Sequence, residues 1–218
     1  MKIAVIGATG MAGAAVVKEA VIRGHLVTAL SRTKANLDQL VIDVDNDRLT
    51  TQVMDAFELM AADLNQFDVV VDAFATDPQK AYLHLDLATK LIALLREVDR
   101  PRLVFILGAG SLLTGSDDHL FVRDMEQDPQ AQAFIAVPQN QLAELDFLRN
   151  VNNVNWVGIS PGINFLPGSK KALLMGENHL LYNEQQVSTT SSGTMAVAIL
   201  DEIEQPKHFK QRFTVIDK

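Results

Sequence analysis

The sequence predicts an α/β protein in which a mostly parallel, doubly wound sheet is covered by helices on both faces. Three observations carry this expectation. Short runs such as Ile3–Ile6 and Val69–Val71 are apolar at every position, as strands buried on both faces are, rather than alternating. Such runs recur between longer stretches of helical period, the pattern of consecutive βαβ units. The first run leads directly into Gly7, Gly10 and Gly13, three glycines at three-residue spacing, and a helical pattern follows from Ala14 to Arg23 with a stop at Gly24.

Strand, glycine turn and helix in that order form the phosphate-binding corner of a Rossmann-type dinucleotide fold. Gly7 permits the tight turn, Gly10 lets backbone N–H groups approach a pyrophosphate, and Gly13 lets the helix pack close to the strand. The positive end of the helix then faces the phosphates. Thr9 and Met11, in the same loop, are expected to touch the nucleotide.

The stretch Gly7-Ala-Thr-Gly-Met-Ala-Gly13 resembles the shifted glycine motif of extended and atypical short-chain dehydrogenase/reductases. Three later segments narrow the resemblance to the NADH-flavin reductase group, which is similar to biliverdin reductase B and the NmrA-like proteins. They are Leu107-Gly-Ala-Gly-Ser-Leu112, Trp156-Val-Gly-Ile-Ser-Pro-Gly162 and Gln211-Arg-Phe-Thr-Val215, so the matching pieces span nearly the whole chain. The resemblance implies one NAD(P)-binding domain over residues 1–218, with residues near 112–138 and 161–192 on the substrate side.

Bulk composition narrows the possibilities. At 218 residues the chain fits one α/β domain, a size that buries roughly 70% of its unfolded surface. A net charge of −8 and a pI near 5.0 argue against nucleic acid or an anionic membrane as partner, because both need a basic footprint. The absence of cysteine excludes disulfides and thiol chemistry, and no metal site is expected. The first apolar stretch is broken at Gly7, too short for a signal peptide, and no run of about 18 apolar residues follows. The expectation is a soluble, cytoplasmic protein, monomeric or homodimeric.

The remaining elements follow in order. His25–Leu30 reads as the second strand, with Ser31-Arg32-Thr33-Lys34 at its end. No acid stands there to hold a ribose hydroxyl. Arg32 offers a planar donor fork suited to a 2′-phosphate, so NADP is favoured over NAD, against the plainer alternative of a solvated arginine. Residues 33–47 read as a short helix plus loop. Leu49–Met54 reads as a third strand ending at Asp55, with Val41–Val44 as a rival. In relatives the acid at this point contacts the adenine edge; it can equally cap the next helix, with Glu58 at the third position.

Asp68–Ala75 is the fourth strand and its exit loop, where small Ala73 and Ala75 let the backbone pass beside the adenosine and Phe74 walls the ring or simply fills the core. A helix is expected from about Pro78 to Val98, with proline in its first turn. Its two neighbouring apolar stripes make it too greasy for one sheet face, so a second helix or a dimer partner must cover it. His84, on this helix, reads as bland rather than catalytic.

Arg102–Leu107 is the fifth strand, and Gly108-Ala109-Gly110-Ser111 sits at its carboxyl end, the edge where such sheets bind ligands. The two glycines would let the backbone approach the nicotinamide. Ser111 falls where the family's active-site serine lies, although a serine–glycine turn explains the same residues. Leu112–Pro138 reads as a long, polar, irregular insert, a lid or substrate loop, in which His119 beside Asp117 and Asp118 is a solvated acidic loop rather than a metal site. The Tyr-x-x-x-Lys pair of familiar superfamily members is missing. The helix that should carry it, Gln139–Val151, offers Gln141, Glu144 and Asp146, and the only tyrosines are Tyr82 and Tyr182.

Asn155–Ser160 is the sixth strand; in relatives the following Pro161–Gly168 segment, beginning Pro161-Gly162, wraps over the nicotinamide. Leu173–Met175 and Leu180–Tyr182 read as a hairpin, Ser188–Ser192 as caps for a helix reaching Ile203, and Arg212–Ile216 as the last strand. Two functions suit this pattern. One is an NADP-dependent reductase that passes hydride to a flavin or similar small conjugated acceptor, the flavin being substrate rather than tightly bound cofactor, with Ser111 giving one hydrogen bond. The other is a non-catalytic NADP-sensing regulator of the NmrA kind.

Overall fold

The computed structural model describes residues 1–218 and builds one eight-stranded sheet. Its strands are β1 (Lys2–Ile6), β2 (Leu26–Ser31), β3 (Leu49–Val53), β4 (Val69–Asp72) and β5 (Arg102–Ile106). The chain then adds a small hairpin, β6 (Leu113–Thr114) and β7 (His119–Leu120), before β8 (Trp156–Pro161), β9 (Asn164–Leu166), β10 (Leu173–Gly176), β11 (Thr189–Ser191) and β12 (Arg212–Asp217). The sheet order is β10-β12-β8-β5-β4-β1-β2-β3. All pairings are parallel except that of the edge strand β10 with β12. The order reverses between β1 and β4, and a doubly wound sheet opens its crevice at that point.

Seven helices flank the sheet: α1 (Met11–Ile22), α2 (Lys34–Val44), α3 (Ala61–Leu64), α4 (Leu83–Leu94), α5 (Phe121–Gln127), α6 (Ala136–Arg149) and α7 (Ser192–Glu204). The alternation of strand side chains divides the core in two. Ile3 and Val5 point into one layer with α1, α2 and α7. Ala4 and Ile6 point into the other with α3, α4 and α6. Because both faces are covered, every residue of β4, β8 and β12 is buried. Trp156 is wholly enclosed, and its ring N–H is satisfied by the Val151 carbonyl at 3.1 Å.

Several expectations are corrected. The helix expected from Pro78 to Val98 is a 3₁₀ turn, Pro78–Lys80, followed by the shorter α4. As its apolar surface requires, a second helix, α6, packs against it. Val41–Val44 is the last turn of α2, not a strand. The hairpin over Leu173–Tyr182 does not form. The first run pairs instead with the open edge of β12, whose backbone groups would otherwise lack partners, and Leu180 hydrogen-bonds Leu113. The insert from Leu112 to Pro138 is ordered structure, carrying β6, β7, α5 and the start of α6, elements too short for periodicity to reveal. Pro138 stands inside the first turn of α6, where its missing N–H costs nothing.

Close approach governs the join of β1 to α1. A Cβ on Gly13 would lie 2.3 Å from the Gly7 carbonyl oxygen, whereas one on Gly10 would meet that atom only at 3.3 Å. Overpacking costs about 1–3 kcal/mol, more than the roughly 1 kcal/mol that alanine gains over glycine within a helix. Gly13→Ala should therefore lower unfolding stability by about 1–2 kcal/mol, while Gly10→Ala leaves it nearly unchanged. Urea midpoints decide this, and a Gly13→Ala variant as stable as wild type contradicts the packing account.

Candidate functional site: a two-chambered cleft at the strand ends

Along the carboxyl edge of the parallel strands runs a cleft of two joined compartments, about 290 Å³ and about 540 Å³ in volume. Gly10, Ala73, Phe74 and Ala75 line both and form the neck between them. Gly7, Thr9, Arg32 and Asp55 line the smaller chamber, at the ends of β1, β2 and β3. Met11, Ala109, Gly110, Pro161 and Gly162 line the larger, at the ends of β5 and β8.

The smaller chamber and the neck beside it present groups that suit an anionic ligand. Gly7 has φ +70°, and an added Cβ would lie 2.5 Å from the Ala73 carbonyl oxygen, so only glycine fits the turn. Gly10 caps α1 in extended conformation with no side-chain cap, and no acid stands in the first turn. The amides of Met11, Ala12 and Gly13 find no acceptor within the protein. Uncapped amides at a helix N-terminus attract phosphate through direct donation and through the helix dipole. Arg32 is exposed and makes no ion pair or hydrogen bond, beside a Thr9–Ser31 hydroxyl pair at 3.0 Å. Asp55 accepts the Phe57 amide at 2.9 Å as a cap while also lining the chamber, so both of its expected roles are open to it.

Other expected site residues stand elsewhere. Gly13 lets the helix pack on Gly7 and lines neither compartment, so its one possible part in the site is its free backbone amide. Gly108 and Gly110 make room for α6, since an added Cβ would lie 2.2 Å from Oε1 of Gln141 or 2.7 Å from Cβ of Pro138, and Gly110 also lines the larger chamber. Gly108 is absent from the lining. Ser111 corrects the expectation most sharply. It is 1% exposed and does not line the cavity. Its hydroxyl donates to the Gly108 carbonyl at 3.1 Å and accepts from Arg212 at 3.1 Å, so it braces the floor and has no free hydrogen bond for an acceptor.

A family model described as NAD(P)H-binding matches residues 7–203. The chain belongs to that family. It is 33% identical over its whole length to YwnB of Bacillus subtilis (strain 168), an uncharacterised protein, and covers 99% of it. A Lactobacillus casei protein of known structure is 40% identical with a TM-score of 0.91, the match covering 100% of this chain and 99% of that one. A Streptococcus pneumoniae TIGR4 protein, provisionally named an NADH-flavin reductase, is 33% identical with a TM-score of 0.87 and full coverage of both chains. The resemblance to the atypical short-chain dehydrogenase/reductases agrees with these relatives.

Within this NAD(P)H-binding fold, three side chains at the cleft matter that motif reading passed over or left without a role. His84 lines the larger chamber against the edge of Phe74, ring centroids 5.5 Å apart, and burial lowers its pKa to about 4, so it stands as neutral imidazole. Gln141 lines the same chamber, and its amide makes no hydrogen bond. Arg212 is buried beneath the floor with only neutral acceptors: the Ser111 and Ser160 hydroxyls, the Ser111 carbonyl and the Asn178 amide oxygen. Burial, and then the neighbouring Arg149 charge, lowers its pKa to about 10. No sequence spacing announces the Arg212 contacts, because they join elements far apart in the chain. His119 lies between Asp117 and Asp124, at 2.6 and 2.9 Å, and these carboxylates raise its pKa. No helix is long and apolar enough to cross a membrane.

Asp72 ends β4 beneath the neck, accepting the Phe74 amide at 2.9 Å. Burial raises its pKa from 3.8 to about 6. Glu144 on α6 is buried too, and burial, then the Asp72 charge, raises its pKa well above the ordinary value. A raised folded pKa means that the Asp72 contribution to stability is full below about pH 4 and is lost as pH rises through about 6. Relative to Asp72→Asn, which keeps an acceptor for the Phe74 amide, wild type should lose up to about 3 kcal/mol between pH 4 and pH 7. Urea unfolding at the two pH values measures this, and parallel pH dependence in the two proteins contradicts it.

Proposed function

We propose that the protein is an NAD(P)H-dependent reductase that prefers NADPH and delivers hydride directly to a flavin or a related small conjugated acceptor, which enters as substrate. The observation that carries this reading is the continuity of the cleft. One chamber presents Arg32 to an anionic nucleotide, the unpartnered amides of Met11 and Ala12 stand just past the neck at Phe74, and the cleft opens there into an apolar cavity large enough for a second ring. A sensor that only bound nucleotide would have no need of that second cavity. The provisional name of the Streptococcus pneumoniae relative supports the same reading.

In this reading the α1 amides hold the pyrophosphate and Arg32 pairs with the 2′-phosphate. The nicotinamide, when bound, supplies the hydride. The walls around Phe74, Ala109, Pro161 and Gly162 set the ring plane and exclude water. Neither Tyr82 nor Tyr182 lines the cavity, and His84 is neutral, so the proton that completes a two-electron reduction comes from water. Ser111 acts on the shape of the floor rather than on the acceptor. Residues 121–138 and 161–165 form the substrate side of a single domain, and the setting is the cytoplasm.

Steady-state oxidation of NADPH and NADH with a panel of flavins and quinones tests the function. Hydrogen bonds to charged groups contribute roughly 1.5–3 kcal/mol, so Arg32→Ala should weaken NADPH binding about 10- to 100-fold and barely change NADH. Equal losses, or a wild-type preference for NADH, contradict the assignment of Arg32. Tyr82→Phe and Tyr182→Phe should be nearly neutral; loss of activity from either would reveal protein proton transfer.

A further inference from the structure

The larger chamber differs in charge from the smaller one. None of its lining residues is lysine or arginine. Its one carboxylate is Asp128, exposed at the end of α5, where it also accepts the Gln130 amide at 2.9 Å. The rim carries large apolar side chains left open to water, Met11, Phe134 and Ile163, at 39–46% exposure. Exposed apolar groups around a cavity mark a surface that a ligand covers. The polar groups of the lining include the amides of Gln141 and, at the exposed rim, Asn164, whose side chains make no hydrogen bond within the protein. Such neutral amides suit the carbonyl and ring-nitrogen edge of a heterocycle or quinone. Arg32 lines the other chamber, and the free amides of Met11 and Ala12 open on this one beside the neck, where the nucleotide phosphates would occupy them and add negative charge of their own.

We propose that this chamber selects an uncharged planar ring acceptor and rejects the same ring carrying phosphate or sulfonate. The inference rests on the reductase reading for what stands beside the acceptor, but the selection itself is a property of binding. A ring inserted between Phe134, Phe165 and Pro138 loses water on both faces at little cost. An attached anionic group finds no lysine or arginine in the lining to replace its hydration and meets Asp128 instead. The whole chain, at net charge −8, repels it further.

Calorimetric binding to the full chain saturated with NADP⁺, at low salt, tests the proposal with two matched pairs. These are riboflavin against FMN, and 1,4-naphthoquinone against its 2-sulfonate. The uncharged member of each pair should bind at least about tenfold more tightly. Added salt should narrow the gap. Asp128→Asn, which retains an acceptor for the Gln130 amide, should narrow it as well, and Phe134→Arg, a change at an exposed position, should narrow or invert it. Equal or tighter binding of the charged members overturns the proposal, and so does failure of all four to bind. If the uncharged members bind selectively but none of the four supports NADPH oxidation, the reductase reading fails while the selection by charge stands.

Discussion

The nucleotide groove depends on how closely α1 approaches the turn that follows β1. With Gly13 in place the helix can settle against the Gly7 carbonyl, and with Gly7 at positive φ the turn can pass under Ala73. Any side chain at either position would push the helix N-terminus off the strand ends. Because Gly10 supplies no side-chain cap, the first amides of the helix are left for whatever occupies the groove. Two close contacts of backbone on backbone thus place a set of donors at the sheet's crevice. The anionic half of a dinucleotide is the ligand that such donors suit.

The larger chamber depends on a different constraint, the satisfaction of buried polar groups. Arg212 is enclosed without a carboxylate partner, and its guanidinium ties Ser111, Ser160 and Asn178 into one brace under the loop after β5. Ser111 and Ser160 both donate to the Gly108 carbonyl, which fixes the end of β5. Above that brace, the glycines at 108 and 110 let α6 come close enough to put Gln141 into the chamber wall. The helix that in familiar relatives carries a tyrosine and a lysine here carries a neutral amide and a buried acid, Glu144. Hydride chemistry that needs no strong protein acid fits those surroundings.

Much of the frame was legible because it rests on local rules. Buried parallel strands read as apolar runs, and the glycine spacing after β1 has few other meanings once strand and helix flank it. Arg32 and Asp55, picked out by their places at strand ends, both line the smaller chamber. What escaped depends on contacts distant in sequence. Leu173–Gly176 looked like half of a hairpin and became the antiparallel partner of β12 because that edge was open. The short elements between Leu113 and Gln127 gave no periodic signal. Ser111 held the expected position in the chain, but the arginine that occupies its hydroxyl comes from the last strand, 101 residues later. His84 looked bland on its helix, and only the fold turns it toward the cavity.

The claim on which the rest stands is that the free amides at the start of α1 hold the nucleotide phosphates. Amide chemical-shift mapping of ¹⁵N-labelled protein titrated with NADP⁺ tests it directly. The largest shifts should fall on Met11, Ala12 and Gly13, with Arg32 and its neighbours following only for the 2′-phosphorylated nucleotide and not for NAD⁺. Tight binding that leaves the α1 amides unmoved while shifting residues elsewhere would contradict the account.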